Sequence, residues 1–297
     1  MNDALLKLGV VGLDGHGPVF TNVVNGVQPM LPGARVVAAM PIPTVMISED
    51  ALAQNVEKTR ALGVEIVEDP AQLADRVDGI LILHDDGARH GELAARFAGL
   101  GKPIFVDKPF EANVAAARAL VEVCRKARCP VFSASSLRFS AEMRACLADA
   151  GAGAVRSAMT YSPFNPKPTM PGWIYYGVHA VEPLFTLMGR GCQEVRCVHS
   201  DQGPVAVGTW QDGRLGIAKG TVGGKSGFGF TAWREGATVA ATVDTSRIYP
   251  ALLQEIKRFI ETGQPPVDPE ESIEGIAFMV AANESMARDG APVQLSR

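Results

Sequence analysis

The run Ile104-Phe105-Val106 ends in Asp107-Lys108-Pro109, and this short stretch holds the densest chemistry in the chain. Apolar β-branched and aromatic residues in succession have the look of a strand buried on both faces. In an open α/β sheet, ligands gather beyond the carboxyl ends of the strands, so an acid and a lysine there are well placed for catalysis. An amine drawn into a crevice is pushed toward its neutral form and can then give or take a proton near neutral pH. On position alone, a solvated charge at a strand end reads equally well. A second candidate is His179, inside Gly172-Trp173-Ile174-Tyr175-Tyr176-Gly177-Val178-His179. A lone histidine on an apolar helix is either a packed, hydrogen-bonded ring or a general acid/base near neutral pH.

Upstream, residues 7–12 (KLGVVG) read as a first strand and 17–26 as a helix, joined by Gly12-Leu13-Asp14-Gly15-His16-Gly17. Strand, glycine-rich turn and helix together form a site for a pyrophosphate, which meets free N–H groups and the positive end of the helix dipole. The alternative is a plain tight turn. Asp14 stands where the second glycine of GxGxxG is usual, and its carboxylate repels a phosphate if it points inward. His84-Asp85-Asp86-Gly87-Ala88-Arg89-His90 offers two histidines and two acids, yet lacks fixed metal-ligand spacing. A polar loop with Asp86 capping the next helix is the expectation, and no metal is assigned.

These residues need elements to carry them. Segments 35–40, 64–67, 79–83, 104–106 and 131–133 read as further strands, and 49–62, 87–100 and 111–127 as helices. Such alternation implies right-handed crossovers and a doubly wound, mostly parallel sheet. Beyond residue 189, strand-like runs at 193–198, 205–210, 215–222, 227–234 and 238–243 follow at hairpin spacing. Residues 248–262 and 270–288 read as closing helices, the second starting at Asp268-Pro269-Glu270. The expected architecture is α/β, a Rossmann domain over 1–134 and a C-terminal domain with an open, mostly antiparallel sheet over 135–297.

Composition narrows the partners. The 297 residues are 47% hydrophobic and 20% charged, with a net charge of −4, which removes the electrostatic case for nucleic acid. No apolar run is long enough to cross a bilayer. Met1-Asn2-Asp3-Ala4 lacks the basic and apolar segments of a secretion signal. Cys124, Cys129, Cys146, Cys192 and Cys197 form an odd, scattered set without the two-residue gap of zinc or redox pairs, so a reducing cytoplasm is the expected compartment. The second strand ends in Met40-Pro41-Ile42-Pro43, with neither the acid that holds an adenosine ribose nor an arginine cluster for a 2′-phosphate.

Taken in order, the glycine turn, the loop ending in His90, Asp107-Lys108-Pro109 and Leu137-Arg138-Phe139 make this chain resemble the Gfo/Idh/MocA family of sugar and inositol oxidoreductases. The resemblance implies a Rossmann domain and a C-terminal α/β domain. The family's Glu-Lys-Pro is matched by Asp107, Lys108 and Pro109, and in many members that lysine contacts the reacting hydroxyl. Its Asp-x-Gly-x-His helix, which faces the nicotinamide, is matched at Gly177 and His179, with Tyr175 in the aspartate position. If the segment is helical, Tyr175 and His179 share a face. As a base, a tyrosine is much weaker than a carboxylate.

By this resemblance, NAD or NADP is expected over Gly12, Leu13, Asp14, Gly15, His16 and Gly17, with His84, Asp85, His90, Asp107, Lys108 and Pro109 also beside the cofactor. The sequence does not choose between the two dinucleotides. Lys108, His179 and Tyr175 are the expected catalytic groups, converging on a shared cleft. Arg138, Trp173 and Tyr176 join Lys108 and His179 as expected substrate contacts, an arginine fork suiting a carboxylate. The substrate class is a hydroxyl of a sugar, polyol or related small molecule. A redox-neutral lyase, epimerase or glycosidase-like enzyme with retained NAD is one alternative, and a non-catalytic ligand-binding protein is another. A homodimer or homotetramer through the C-terminal sheet is expected.

Overall fold

The computed structural model describes residues 5–296, so Met1–Ala4, on which the absence of a leader was read, lie outside the described residues. The first half runs β1 (Leu6–Val11), α1 (His16–Asn25), β2 (Ala34–Met40), α2 (Glu49–Ala61), β3 (Glu65–Ile66), α3 (Pro70–Ala74), β4 (Gly79–Ile82), α4 (His90–Phe97), β5 (Ile104–Val106), α5 (Val114–Lys126) and β6 (Val131–Ser133). The second runs α6 (Ala141–Ala148), β7 (Val155–Pro163), α7 (Val178–Met188), β8 (Cys192–Ser200), β9 (Gly203–Trp210), β10 (Leu215–Thr221), β11 (Gly229–Arg234), β12 (Thr238–Thr242), α8 (Ile248–Thr262), α9 (Pro269–Met286) and β13 (Val293–Gln294). The chain divides into two compact units.

The first unit holds a parallel sheet ordered β3-β2-β1-β4-β5-β6, the doubly wound arrangement expected from the alternation. Every residue of β4, β5 and β6 is buried, because helices cover both faces. Helix α1 buries Gly17, Phe20, Thr21 and Val24, one stripe of a 3.6-residue period. Ser48 caps α2 by accepting from the Ala51 N–H, with Glu49 and Asp50 at the positive dipole end and Lys58 and Arg60 at the other.

The unit closes with a late segment, Tyr249–Pro269, so the division differs from a single cut after residue 134. Helix α8 reaches the sheet by shape: Gly79 leaves room for Ile260, whose Cδ1 would lie 2.4 Å from any Cβ there. Phe259 meets Phe132 edge-on, with ring centroids 4.7 Å apart.

The second unit is built on a sheet ordered β12-β11-β7-β10-β9-β8-β13. Only the β7–β10 pairing is parallel, so the sheet is mostly antiparallel as expected. Helix α7 is tied to β7 where the Thr160 hydroxyl donates to the Ala180 carbonyl. Gly208 and Gly216 make space for Phe278 and Trp210, large rings fully or almost fully buried. All five cysteines are buried free thiols. Among the described residues, no helix is long and apolar enough to cross a membrane.

Candidate active site

In the first unit, β1 and β4 are neighbours whose following helices lie on opposite faces, so the loops after them flank the switch point of the sheet. Gly12 takes φ +92°, and a Cβ there would stand 2.7 Å from the His84 backbone nitrogen. Gly17 is equally constrained, because its Cβ would lie 2.1 Å from the Gly12 carbonyl oxygen. No side chain caps α1 and its first turn carries no acid. Its orphan N–H groups and dipole are therefore suited to an anion, and the turn fits a dinucleotide pyrophosphate.

Asp14 does not oppose this. Its side chain is fully buried, Oδ1 accepts from the Asp85 backbone N–H at 3.2 Å, and Oδ2 lies 3.5 Å from His84 Nε2. The Asp86 N–H donates to His84 Nδ1, which places the ring hydrogen on Nε2, where it donates to the Pro43 carbonyl at 3.4 Å. The carboxylate is thus folded into the protein against the loop after β4. Asp86 caps the helical turn that follows, accepting from the Ala88 N–H. His90 is fully buried, with Nδ1 2.9 Å from the Pro109 carbonyl and Nε2 2.8 Å from that of His84. It brackets the loop to the Asp-Lys-Pro segment from inside. Among the described residues, no group of three or more His, Cys, Asp or Glu side chains is arranged to hold a metal.

Asp107 sits at the end of β5, 2% exposed. Its Oδ1 accepts from the Lys108 N–H at 2.8 Å and its Oδ2 lies 2.6 Å from His16 Nδ1. Burial by itself raises a carboxyl's pKa, but the charges of His16 and Lys108 and the His16 hydrogen bond outweigh it. The net effect holds Asp107 well below the usual carboxylate range. The His16 ring stacks on Phe20 at 5.0 Å, and its Nε2 lies 3.3 Å from the Tyr249 hydroxyl. Lys108 is buried beside this cluster, 5% exposed.

At the end of β2, a cavity of about 560 Å³ opens between the Pro41–Thr44 segment and α2, lined in part by Ser48, Glu49, Leu52, Val56 and Glu57. Glu49, the first residue of the next helix, puts a carboxylate in the lining of this cavity. Its signal was a Ser-Glu-Asp helix start, visible in the sequence but read only as a helix boundary.

The second unit corrects three expectations. Residues 171–177 are turns and α7 starts at Val178, so Tyr175 and His179 do not share a helix. Pro171-Gly172 and the glycine at 177 disfavour an earlier start. Tyr175 is nearly buried; its ring meets that of Tyr176 at 5.8 Å and lies under Lys167 Nζ at 5.6 Å. It is Tyr176 that stands edge-on to His179, at 5.0 Å, with Phe228 at 5.6 Å on the same ring.

Trp173 is fully buried and so lines the core, where it meets Phe164 edge-on. Arg138 is no open fork. Its Nε donates to Glu182 at 2.6 Å, and its Nη1 donates to Glu271 at 2.6 Å and to Thr186 at 2.9 Å, all within the unit. Burial disfavours its charge, but the two carboxylates outweigh that and raise its pKa. Ser135, unmarked in the sequence, has its Oγ 2.9 Å from His179 Nδ1.

Residues 6–135 match the model of the oxidoreductase family with an NAD-binding Rossmann fold. The match covers the part of the chain that resembles the Gfo/Idh/MocA oxidoreductases, and NAD is the cofactor for which that family's Rossmann fold is named. Similar solved structures extend the likeness of fold over the rest of the chain. Apo scyllo-inositol dehydrogenase from Lactobacillus casei superposes with a TM-score of 0.83 at 15% identity, covering 100% of both chains. The same enzyme with bound NAD(H) and scyllo-inositol gives 0.81 at 15% identity, covering 98% of this chain and 99% of the other. A myo-inositol dehydrogenase from Corynebacterium glutamicum gives 0.81 at 17% identity, again over 98% and 99%. No curated protein matches the sequence.

Proposed function

We propose that the protein is an NAD-dependent dehydrogenase that oxidises a secondary hydroxyl of a sugar or polyol, inositols being the first substrates to try. The observation that carries this reading is the His16–Asp107 pair, which ties the glycine-rich turn to the Asp-Lys-Pro segment within one unit. A dinucleotide would be held by the glycine turn and the N-terminus of α1, with Glu49 beside the cavity at β2 as the ribose partner. Carboxylates at Glu49 and Glu57 disfavour a 2′-phosphate and so favour NAD over NADP.

The nicotinamide, when bound, supplies the hydride acceptor. Losing a hydride from a carbinol carbon leaves the oxygen with a proton to shed and charge to be stabilised. In this reading Lys108 holds that oxygen and meets its developing negative charge, and His179 takes the proton. Tyr176 and Phe228, on the ring of His179, offer aromatic faces to the apolar side of a polyol ring. Tyr175 is left as a support for Tyr176 rather than a base.

Fluorescence titration with NAD and NADP, followed by NAD reduction with myo-inositol, scyllo-inositol and aldoses, tests the reading. NAD binding and turnover are expected, with Lys108→Ala lowering kcat/KM about 100-fold to 10,000-fold. Failure to bind either dinucleotide ends the enzyme reading and favours a binding protein. NAD that co-purifies and is not reduced during turnover points to the redox-neutral alternative. We also propose that the sheet face carrying Met159, Val207, Ile217 and Trp233 pairs with a second copy of the chain, a mass that light scattering reads directly.

A further inference from the structure

His179 lies in the first turn of α7, and what fixes its ring comes from far away in the chain. Ser135 is fully buried, with its hydroxyl oxygen 2.9 Å from His179 Nδ1. The Leu137 backbone N–H donates to that same oxygen at 3.4 Å, which occupies one acceptor position. A serine hydroxyl has one hydrogen and two acceptor lone pairs. The remaining lone pair and the rotatable hydrogen are therefore both within reach of Nδ1. The hydroxyl donates to a bare Nδ1 and accepts from an Nδ1–H, so it serves the ring with or without its extra proton. A carboxylate in that place would accept only, and would bias the ring toward the imidazolium.

Ser135 is itself anchored. Its backbone N–H donates to Glu182 Oε2 at 2.6 Å, and that same oxygen accepts from Arg138 Nε at 2.6 Å. Arg138 is held in turn by Glu271 and Thr186. The buried ion network is thus an outer shell that ends on one imidazole nitrogen. We propose that Ser135 is a positioning residue for His179: it sets the plane of the ring and partners Nδ1 in both protonation states. This rests on His179 being the acid/base of the proposed dehydrogenase. It also accounts for how the histidine is oriented where Tyr175 stands in place of a carboxylate.

The test uses full-length protein labelled with 15N in its histidines, with signals of His179 assigned by their loss in His179→Gln. In Ser135→Ala, the Nδ1 resonance is expected to move and the exchange between tautomers to broaden it, with unchanged circular dichroism. With NAD and the polyol that turns over, kcat should fall about 10-fold to 100-fold while both KM values stay within about 2-fold. Ser135→Thr, which keeps the hydroxyl, should restore most of kcat and the resonance position. An unmoved Nδ1 resonance in Ser135→Ala, or full kcat in that variant, overturns the proposal while leaving the dehydrogenase reading intact. Full turnover in His179→Gln instead removes the parent reading, and the catalytic sense of Ser135 with it. If Ser135→Ala unfolds, Ser135→Cys replaces it under the same criteria, since a thiol is a poor donor and acceptor at this distance.

Discussion

The two units handle charge in opposite ways. In the first, Asp107, Lys108 and His16 concentrate charge at a strand end and a helix start, at the side of the sheet where ligands bind. In the second, Arg138, Glu182 and Glu271 are buried against one another, and their charge is spent inside the protein. One cluster is built to meet something; the other is built to hold something. The difference follows from geometry. A parallel sheet delivers strand ends and helix starts to a common edge, whereas an antiparallel sheet with helices on one face offers no such edge, and the His179 ring there is held by Ser135.

The contrast breaks most visibly at Arg138. Replacing it with methionine leaves Glu182 buried without its partner, and breaking a buried pair in this way costs about 3–5 kcal/mol. Chemical denaturation should show that loss, in a protein whose dinucleotide affinity, if it folds, stays near wild type. A loss under about 1 kcal/mol would mean that the network is peripheral to stability and that the second unit is not held by its ions. In the first unit, His16→Phe keeps the stack on Phe20 and removes both ring nitrogens. It leaves the Asp107 carboxylate short of a charge-assisted bond, worth about 1.5–3 kcal/mol. Here activity and dinucleotide affinity should fall together, since the pair ties the glycine turn to the Asp-Lys-Pro segment. A stability loss with unchanged affinity would make the two clusters alike.

The same contrast explains what could be read beforehand. The strand that ends at Asp107-Lys108-Pro109 was legible because the apolar run and its charged end are contiguous in sequence. The glycine turn was legible because a positive φ and close approaches at Gly12 and Gly17 admit few other residues. The helix at 248–262 was visible, but a helical pattern does not say which sheet it will cover, so its place with the first unit was not. Arg138 was read by residue type as a fork for a carboxylate. It does bind carboxylates, but those of Glu182 and Glu271, which lie 44 and 133 residues away. No local pattern encodes such partners. Ser135 was invisible for the same reason, and a shared face for Tyr175 and His179 depended on the segment being helical, whereas the helix starts only at Val178.

The smallest expected effect separates charge that is buried from charge that is merely paired. Asp107 and Glu122 are both held below their ordinary carboxylate values: Asp107 by His16 and Lys108 against its burial, Glu122, to about 2, first by its hydrogen bond with Arg125. Both therefore bind protons less readily folded than unfolded. Each contribution is complete above the ordinary carboxylate range near pH 4 and is lost as pH falls through the folded-state value. The stability difference between wild type and Asp107→Asn should thus be flat at neutral pH and shrink in acid. For Glu122→Gln the sign is the same, but Glu122 is on the surface, where salt screens the pair. Repeating both pH series in about 1 M salt, where the screening length falls to about 3 Å, should leave the Asp107 difference nearly unchanged and erase that of Glu122. If salt erased both, the Asp107–His16 pair would be open to solvent, and the first unit's charge would be a surface feature rather than a built site.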